Sequence, residues 1–305
     1  MSLPLVTHPH YSYSFKETHR FPMQKFRLLH EFLQEQGIAS AANTYRPGSA
    51  KRQLLEGTHC PDYLTRFINN TMDKPELRRM GLPWSEGLLR RSLISPVGTL
   101  LACQLALKKG MACHLAGGTH HAHYDFASGF CIFNDLAIAA NSLLLQGKVK
   151  KILIFDADVH QGDGTARILA NQGNVFTCSV HCEKNFPVRK AQSDLDVNIE
   201  KGTLTNSYLE SMAQGFEEAI RLAQPDFIIY DAGVDVFTDD PLGLLNVSLA
   251  GIRARDKYVL SRCVQLNIPV ATVIGGGYDK NEKALAQRHA IAVQEASKLF
   301  EILHA

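Results

Sequence analysis

The sequence has no Cys-x-x-Cys pair, and its cysteines number seven in 305 residues. An odd, scattered set argues against a disulfide framework, rules out a cysteine-based zinc finger and suits a reducing, cytoplasmic setting. Charge excess is missing too: 32 Lys and Arg against 30 Asp and Glu leave a formal +2. Neither nucleic acid nor an anionic membrane is therefore the expected partner. No uncharged run approaches the roughly 20 apolar residues that cross a bilayer, and the opening MSLPLVTHPHYSYSFKETHR lacks a secretory apolar block. Internal repeats and low-complexity tracts are lacking as well. What is present is globular composition, 45% hydrophobic and 20% charged, with 13 His and 30 carboxylates for a metal site built without cysteine.

After position 110, short apolar runs alternate with segments whose apolar residues return every three or four positions. The runs predict strands at Met111–Leu115, Lys151–Phe155, Val175–Val180, Asp226–Tyr230 and Pro269–Ile274. Helices are expected near Asn134–Gln146, Gly164–Asn171, Asn206–Leu222, Ala250–Asn267 and Lys283–Leu303. Such alternation predicts an α/β fold, a mainly parallel sheet with helices on both faces, and no linker divides residues 1–305. In the first 110 residues, helices are expected from Pro22 to Glu35 and from Pro96 to Lys109, Gly110 ending the second. Asn43–Arg91 reads as loops and small helices on the sheet's rim.

Ligands of open α/β sheets bind beyond the carboxyl ends of the strands, so the residues following each strand carry the functional information. They are Gly117-Gly118-Thr119-His120-His121, then Asp156-Ala157-Asp158-Val159-His160-Gln161-Gly162-Asp163-Gly164, then Ser179-Val180-His181, then Asp231-Ala232-Gly233-Val234-Asp235, and last Gly275-Gly276-Gly277-Tyr278-Asp279. Asp158 and His160 stand two apart in an extended segment and leave its same face. With Asp235 from a neighbouring strand end they offer two carboxylates and an imidazole, a three-ligand metal site open to water and substrate. Taken singly, Asp158 or Asp163 also suits a helix cap. Asp156 and Asp163 are placed to orient His120 and His121, a pair of proton-transfer groups. Tyr278, after three glycines, can donate to a developing oxyanion.

These strand-end segments resemble the histone deacetylase family of the arginase–deacetylase superfamily. The motifs that carry the resemblance are GGTHHAHYDFASGFCIFND (Gly117–Asp135), DADVHQGDG (Asp156–Gly164), YDAGVDVFTDDPLG (Tyr230–Gly243) and GGGYD (Gly275–Asp279), with HRFPMQKFRLLHEFL (His19–Leu33) near the start. Short length, the Tyr230–Asp256 segment and Lys25, where many relatives carry Arg, look most like class IV and related bacterial members. The resemblance implies one catalytic domain hydrolysing an Nε-acyl-lysine amide on protein or peptide, with acetyl and longer fatty-acyl groups, acetylpolyamines and other small acylated amines all open; the non-enzymatic alternative is a module that binds acyl-lysine without turning it over. It implies Asp158, His160 and Asp235 as ligands of Zn2+, with Fe2+ open; Tyr278 as carbonyl-polarising donor; His121, backed by Asp163, as general base and acid; and His120, backed by Asp156, as its electrostatic neighbour. A structural K+ would use Asp156, Asp158, His160, Ser179 and Val180. Phe130 and Phe186 match the walls of the acyl-lysine tunnel, and Gly129 and Gly276 match backbone positions beside the substrate; core packing is the other reading of the two Phe. A polyamine would call for acidic groups at the tunnel mouth, where Asp239 and Asp240 could serve.

Overall fold

Strands buried on both faces need apolar residues at consecutive positions, and the central runs ILIF, FIIY and VATV supply them. A computed structural model describes residues 1–15 and 19–304. In chain order the strands are β1 (Leu5–Val6), β2 (Thr44–Tyr45), β3 (Met111–His114), β4 (Ile152–Asp156), β5 (Val175–Cys182), β6 (Leu195–Ile199), β7 (Phe227–Asp231) and β8 (Val270–Val273). They form one sheet, ordered β2-β1-β3-β8-β7-β4-β5-β6, in which every pairing is parallel.

Alternation along the strands feeds two apolar layers. Leu153, Phe155, Ile228 and Tyr230 enter one layer, and Ile152, Ile154, Phe227 and Ile229 enter the other. Helices cover both: α1 (Lys25–Glu35), α2 (Arg52–Glu56), α3 (Pro61–Ile68), α4 (Lys74–Met80), α5 (Glu86–Lys109), α6 (Asp135–Leu145), α7 (Asp163–Leu169), α8 (Thr205–Ala223), α9 (Leu249–Gln265) and α10 (Glu282–Leu303). The chain is thus a single α/β domain. α8 shows how the pattern works: Tyr208, Met212, Phe216 and Ala219 share a buried stripe at helical spacing.

The expected strands and helices after position 110 all form, with ends moved by one or two residues. Three strands were not expected: β1 and β2, each two residues long, and the edge strand β6. α1 begins at Lys25 rather than Pro22, and α5 begins at Glu86 rather than Pro96. Ser85 caps α5, its side chain accepting from the Leu88 N–H, so Pro96 lies inside the helix. Proline is unfavourable there in isolation, but Ile94, Ser95, Pro96 and Gly98 are all buried and packing holds the helix through it. Between Asn43 and Arg91 the small helices are α2 to α4, as expected of a rim. Among the described residues, no helix is long and apolar enough to cross a membrane.

Candidate metal centre

The register of the central strands brings the chemistry to one edge. β4 and β7 pair Asp156 with Asp231, and β4 and β5 pair Asp156 with Ser179. Beyond those ends, His160 Nδ1 lies 3.0 Å from Asp158 Oδ1 and 3.1 Å from Asp235 Oδ2. All three residues are buried, and a potential ligand atom from each lies within 4.8 Å of the other two. Backbone donors fix the carboxylates: Val159 N–H to Asp235 Oδ1 at 2.9 Å, His160 N–H to Asp158 Oδ1 at 2.9 Å and Gly276 N–H to Asp158 Oδ2 at 2.6 Å. Gly276 must be glycine, because a Cβ there would collide with Asp158 Oδ2 and Asp235 Oδ2. Burial by itself would lower the pKa of His160, yet hydrogen bonds and charge from Asp158 and Asp235 raise it to about 10. A buried position that holds positive charge this strongly, with one nitrogen and two carboxylates converging, fits a divalent cation.

His120 and His121 are each oriented through Nδ1, which leaves Nε2 for chemistry. His120 Nδ1 is 2.7 Å from Asp156 Oδ2, and His121 Nδ1 is 2.7 Å from Asp163 Oδ1. Their environments separate them. Burial depresses both, but the charges of Asp156 and Asp158 carry His120 well above the ordinary histidine value. His121 is lowered to about 4, by burial first and then by the positive charge of His120, against the hydrogen bond that it donates to Asp163. Adjacent imidazoles, one held charged and one held neutral, are equipped for two different tasks.

Tyr278 is held by its backbone N–H, which donates to Asp240 Oδ2 at 2.7 Å. Burial, and then the charges of Asp235 and Asp158, raise its phenol well above 10, so it stays a donor. Two cavities meet beside it. The outer, about 400 Å³, includes Phe130, Phe186 and Gly129 in its wall; the inner, about 40 Å³, lies behind the site against Lys25, Arg91 and Gly276. His121, His160, Gly129, Phe130 and Tyr278 border both, so of the candidate ligands His160 stands at the neck and Asp158 faces the inner cavity. Phe186 stands perpendicular to His121 with ring centroids 4.8 Å apart. Ser179 and Val180 are buried on β5, Ser179 Oγ lying 3.0 Å from His181 Nδ1.

The structure does not place Asp239 and Asp240 as an acidic tunnel mouth. Asp240 is buried, accepting from Tyr278, Leu242 and Gly243 N–H, and neither aspartate lines the outer cavity. Three features escaped the sequence reading. His123 Nε2 takes the second oxygen of Asp163 at 3.0 Å; the two-residue spacing from His121 was the available signal. Lys25 reaches under the glycine turn, its Nζ donating to the Gly275 and Gly277 carbonyls at 3.3 and 3.2 Å. Burial, then Arg91, lowers it to about 8. Asp231 forms a second cluster with His120 and Asp156, and both of its oxygens are buried without a hydrogen-bond partner among the described residues. Burial, then Asp156, raises its pKa well above the carboxylate range.

Residues 19–294 match the family profile described as the histone deacetylase domain. An uncharacterized protein from Picosynechococcus sp. is 46% identical over 300 residues, 98% of this chain and 100% of that one. Histone deacetylase 2 of Arabidopsis thaliana is 30% identical over 276 residues, 87% of this chain and 71% of the relative. A solved structure described as an HDAC homolog complexed with SAHA shares the fold, with a TM-score of 0.81 at 21% identity, covering 99% of this chain and 89% of that one.

Proposed function

The chain belongs to the histone deacetylase family, a lineage of metal-dependent amidohydrolases, and from that premise we propose that it hydrolyses Nε-acyl-lysine amides bearing a short acyl group. The observation that carries this reading is the buried Asp158, His160 and Asp235 set beside the His121–Asp163 pair, where a large outer cavity meets a small inner one. The larger, outer cavity is the side with room for a lysine carried on a protein, so its acyl group points toward the smaller one. The inner cavity of about 40 Å³ suits an acetyl group rather than a fatty chain.

Asp158, His160 and Asp235 would hold zinc, or iron(II), which such a donor set also accepts. Bound there, the metal supplies Lewis acidity toward the carbonyl and a water whose pKa is brought to about 7. His121, neutral at physiological pH, takes the proton of the attacking water on Nε2 while Asp163 accepts its Nδ1–H. Tyr278 donates its O–H to the oxyanion that forms on the acyl carbon. The protonated His121 then gives its proton to the leaving amine as the C–N bond breaks. His120 stays charged throughout, stabilising the same oxyanion through space. Gly129 and Gly276 let substrate and ligands approach closely, and Phe130 and Phe186 flank the lysine methylenes. Asp156, Asp158, His160, Ser179 and Val180 would hold a structural K+. We place the chain, as one catalytic domain, nearest class IV and related bacterial members, in the cytoplasm. Support for that compartment is the absence of any disulfide among the described residues, where all seven thiols are free.

The test is a panel of acetyl-, butyryl-, octanoyl- and myristoyl-lysine peptides, with acetylated polyamines alongside, assayed after chelation and after adding back zinc or iron. Turnover should require metal and fall as the acyl chain lengthens. Tyr278→Phe should lower kcat by about 10²–10³ with KM little changed. Turnover indifferent to chelation would overturn the reading.

A further inference from the structure

The outer cavity carries charge of one sign. Arg20, Arg78 and Arg79 stand in its wall, and among the described residues no Asp or Glu does. Among the described residues none of the three takes part in an ion pair, a property they share with Arg46, Arg90, Arg167 and Arg189; what sets them apart is that they gather around one opening. Three cations gathered around a concave opening focus a positive potential into it.

Arg20 and Arg79 are tied to the wall they crown. The Arg20 guanidinium lies over the Phe130 ring at 5.1 Å from its centroid. Arg79 lies over Phe126 at 4.1 Å, and its Nε donates to the Ala127 carbonyl at 3.3 Å. The end of α4 is pinned to the same wall, since Gly129 N–H donates to the Arg79 carbonyl at 3.3 Å and Phe130 N–H donates to the Met80 carbonyl at 2.9 Å. Stacking on aromatic faces and backbone clamping restrict the Arg20 and Arg79 side chains before any ligand arrives, which lowers the entropy lost on binding.

We infer that the substrate carries negative charge on the amine side of the scissile amide: an acyl-lysine with carboxylates around it, read by Arg20, Arg78 and Arg79. This rests on the amide-hydrolysis reading of the site below. The same chemistry can come from acidic neighbours in a peptide or from the α-carboxylate of a free acylated amino acid. An acylated polyamine, cationic on that side, meets repulsion at the rim.

The experiment uses the metal-loaded chain and three acetyl-lysine peptides alike except for flanks of Glu, Gln or Lys, with Nε-acetyl-lysine and its carboxamide as a small-molecule arm. At low salt the Glu peptide should exceed the Gln peptide in kcat/KM by roughly tenfold, the Lys peptide should fall below both, and the ratio should shrink as salt rises. Arg78→Glu, at an exposed position, and the Arg20→Glu, Arg78→Glu pair should bring the Glu-to-Gln ratio to one or below. Preference for the free acid over its carboxamide assigns the anion to the substrate's own α-carboxylate; preference for the Glu peptide alone assigns it to neighbouring residues. Turnover of the Gln peptide with no acidic preference in either arm, or a preference for Lys flanks or acetylpolyamine, overturns the rim inference and leaves the site reading standing. Failure of every acyl-lysine substrate overturns both.

Discussion

Strand β7 has an aspartate at each end, and the two live in opposite worlds. Asp226, just before the strand, is exposed and fully used: its oxygens accept from the Lys150 and Lys151 N–H groups at 2.8 and 3.0 Å. Asp231, the last strand residue, is buried and has no partner for either oxygen among the described residues. The amino ends of the strands thus satisfy their polar groups and close the core with residues such as Phe227, Ile152 and Val175. Their carboxyl ends concentrate carboxylates and imidazoles that lack enough partners within the protein. Evenly satisfied regions stabilise; a region left electrostatically incomplete is one prepared for an ion or a reacting group.

Substitution can break that division. The largest effect belongs to His121→Ala, which removes the proposed base and should lower kcat/KM by about 10²–10⁴ while thermal stability changes little. The wild-type pH profile adds a sign. His121 must be neutral to accept a proton, and with its pKa near 4 kcat/KM should rise as pH climbs through that value and then level off. Tyr278 remains protonated well above pH 10, so the plateau should persist into the alkaline range. An acidic limb at an ordinary histidine value, measured with an uncharged substrate, would count against His121.

Phe227→Ala probes the other end. Its ring is fully buried at the start of β7, and truncation should cost roughly 3–5 kcal/mol in denaturant unfolding. The surviving folded fraction should keep its kcat. If kcat fell with stability, the two ends of the sheet would be one cooperative unit and the division would fail.

The sequence made the carboxyl end legible and the rim much less so. Asp158 and His160 could be paired on their two-residue spacing, although the segment expected to be extended bends after β4 and the hydrogen bond that the His160 N–H donates to Asp158 Oδ1 holds the two together; the neighbouring strand end supplied Asp235. β1 and β2 are too short to show a period, and β6 alternates Leu195, Val197 and Ile199 with Asp196 and Asn198 between flanking Asp194 and Glu200, a weak edge-strand signature. Pro96 looked like a helix start because local preference says so; a buried, packed segment overrode it. Lys25 carried a readable sign, since it falls on the buried stripe with Phe26, Leu29 and Leu33. Its meeting with Arg91 and the Gly275–Gly277 turn depends on tertiary contacts between distant segments that no local pattern reports.

The smallest expected effect is also the most discriminating. Asp163 serves two histidines, accepting from His121 through Oδ1 and from His123 through Oδ2. Asp163→Asn keeps the shape but replaces one acceptor with a donor and removes the charge that favours protonated His121. Loss of an orienting carboxylate of this kind should lower kcat/KM by about 10–100-fold. The charge effect has a definite direction: since Asp163 works to raise the pKa of His121, its removal should move the acidic limb to lower pH even as the rate falls. A merely structural loss would lower the rate without moving the limb. A limb that stayed in place, or rose, would mean that Asp163 holds the loop and does not tune the base.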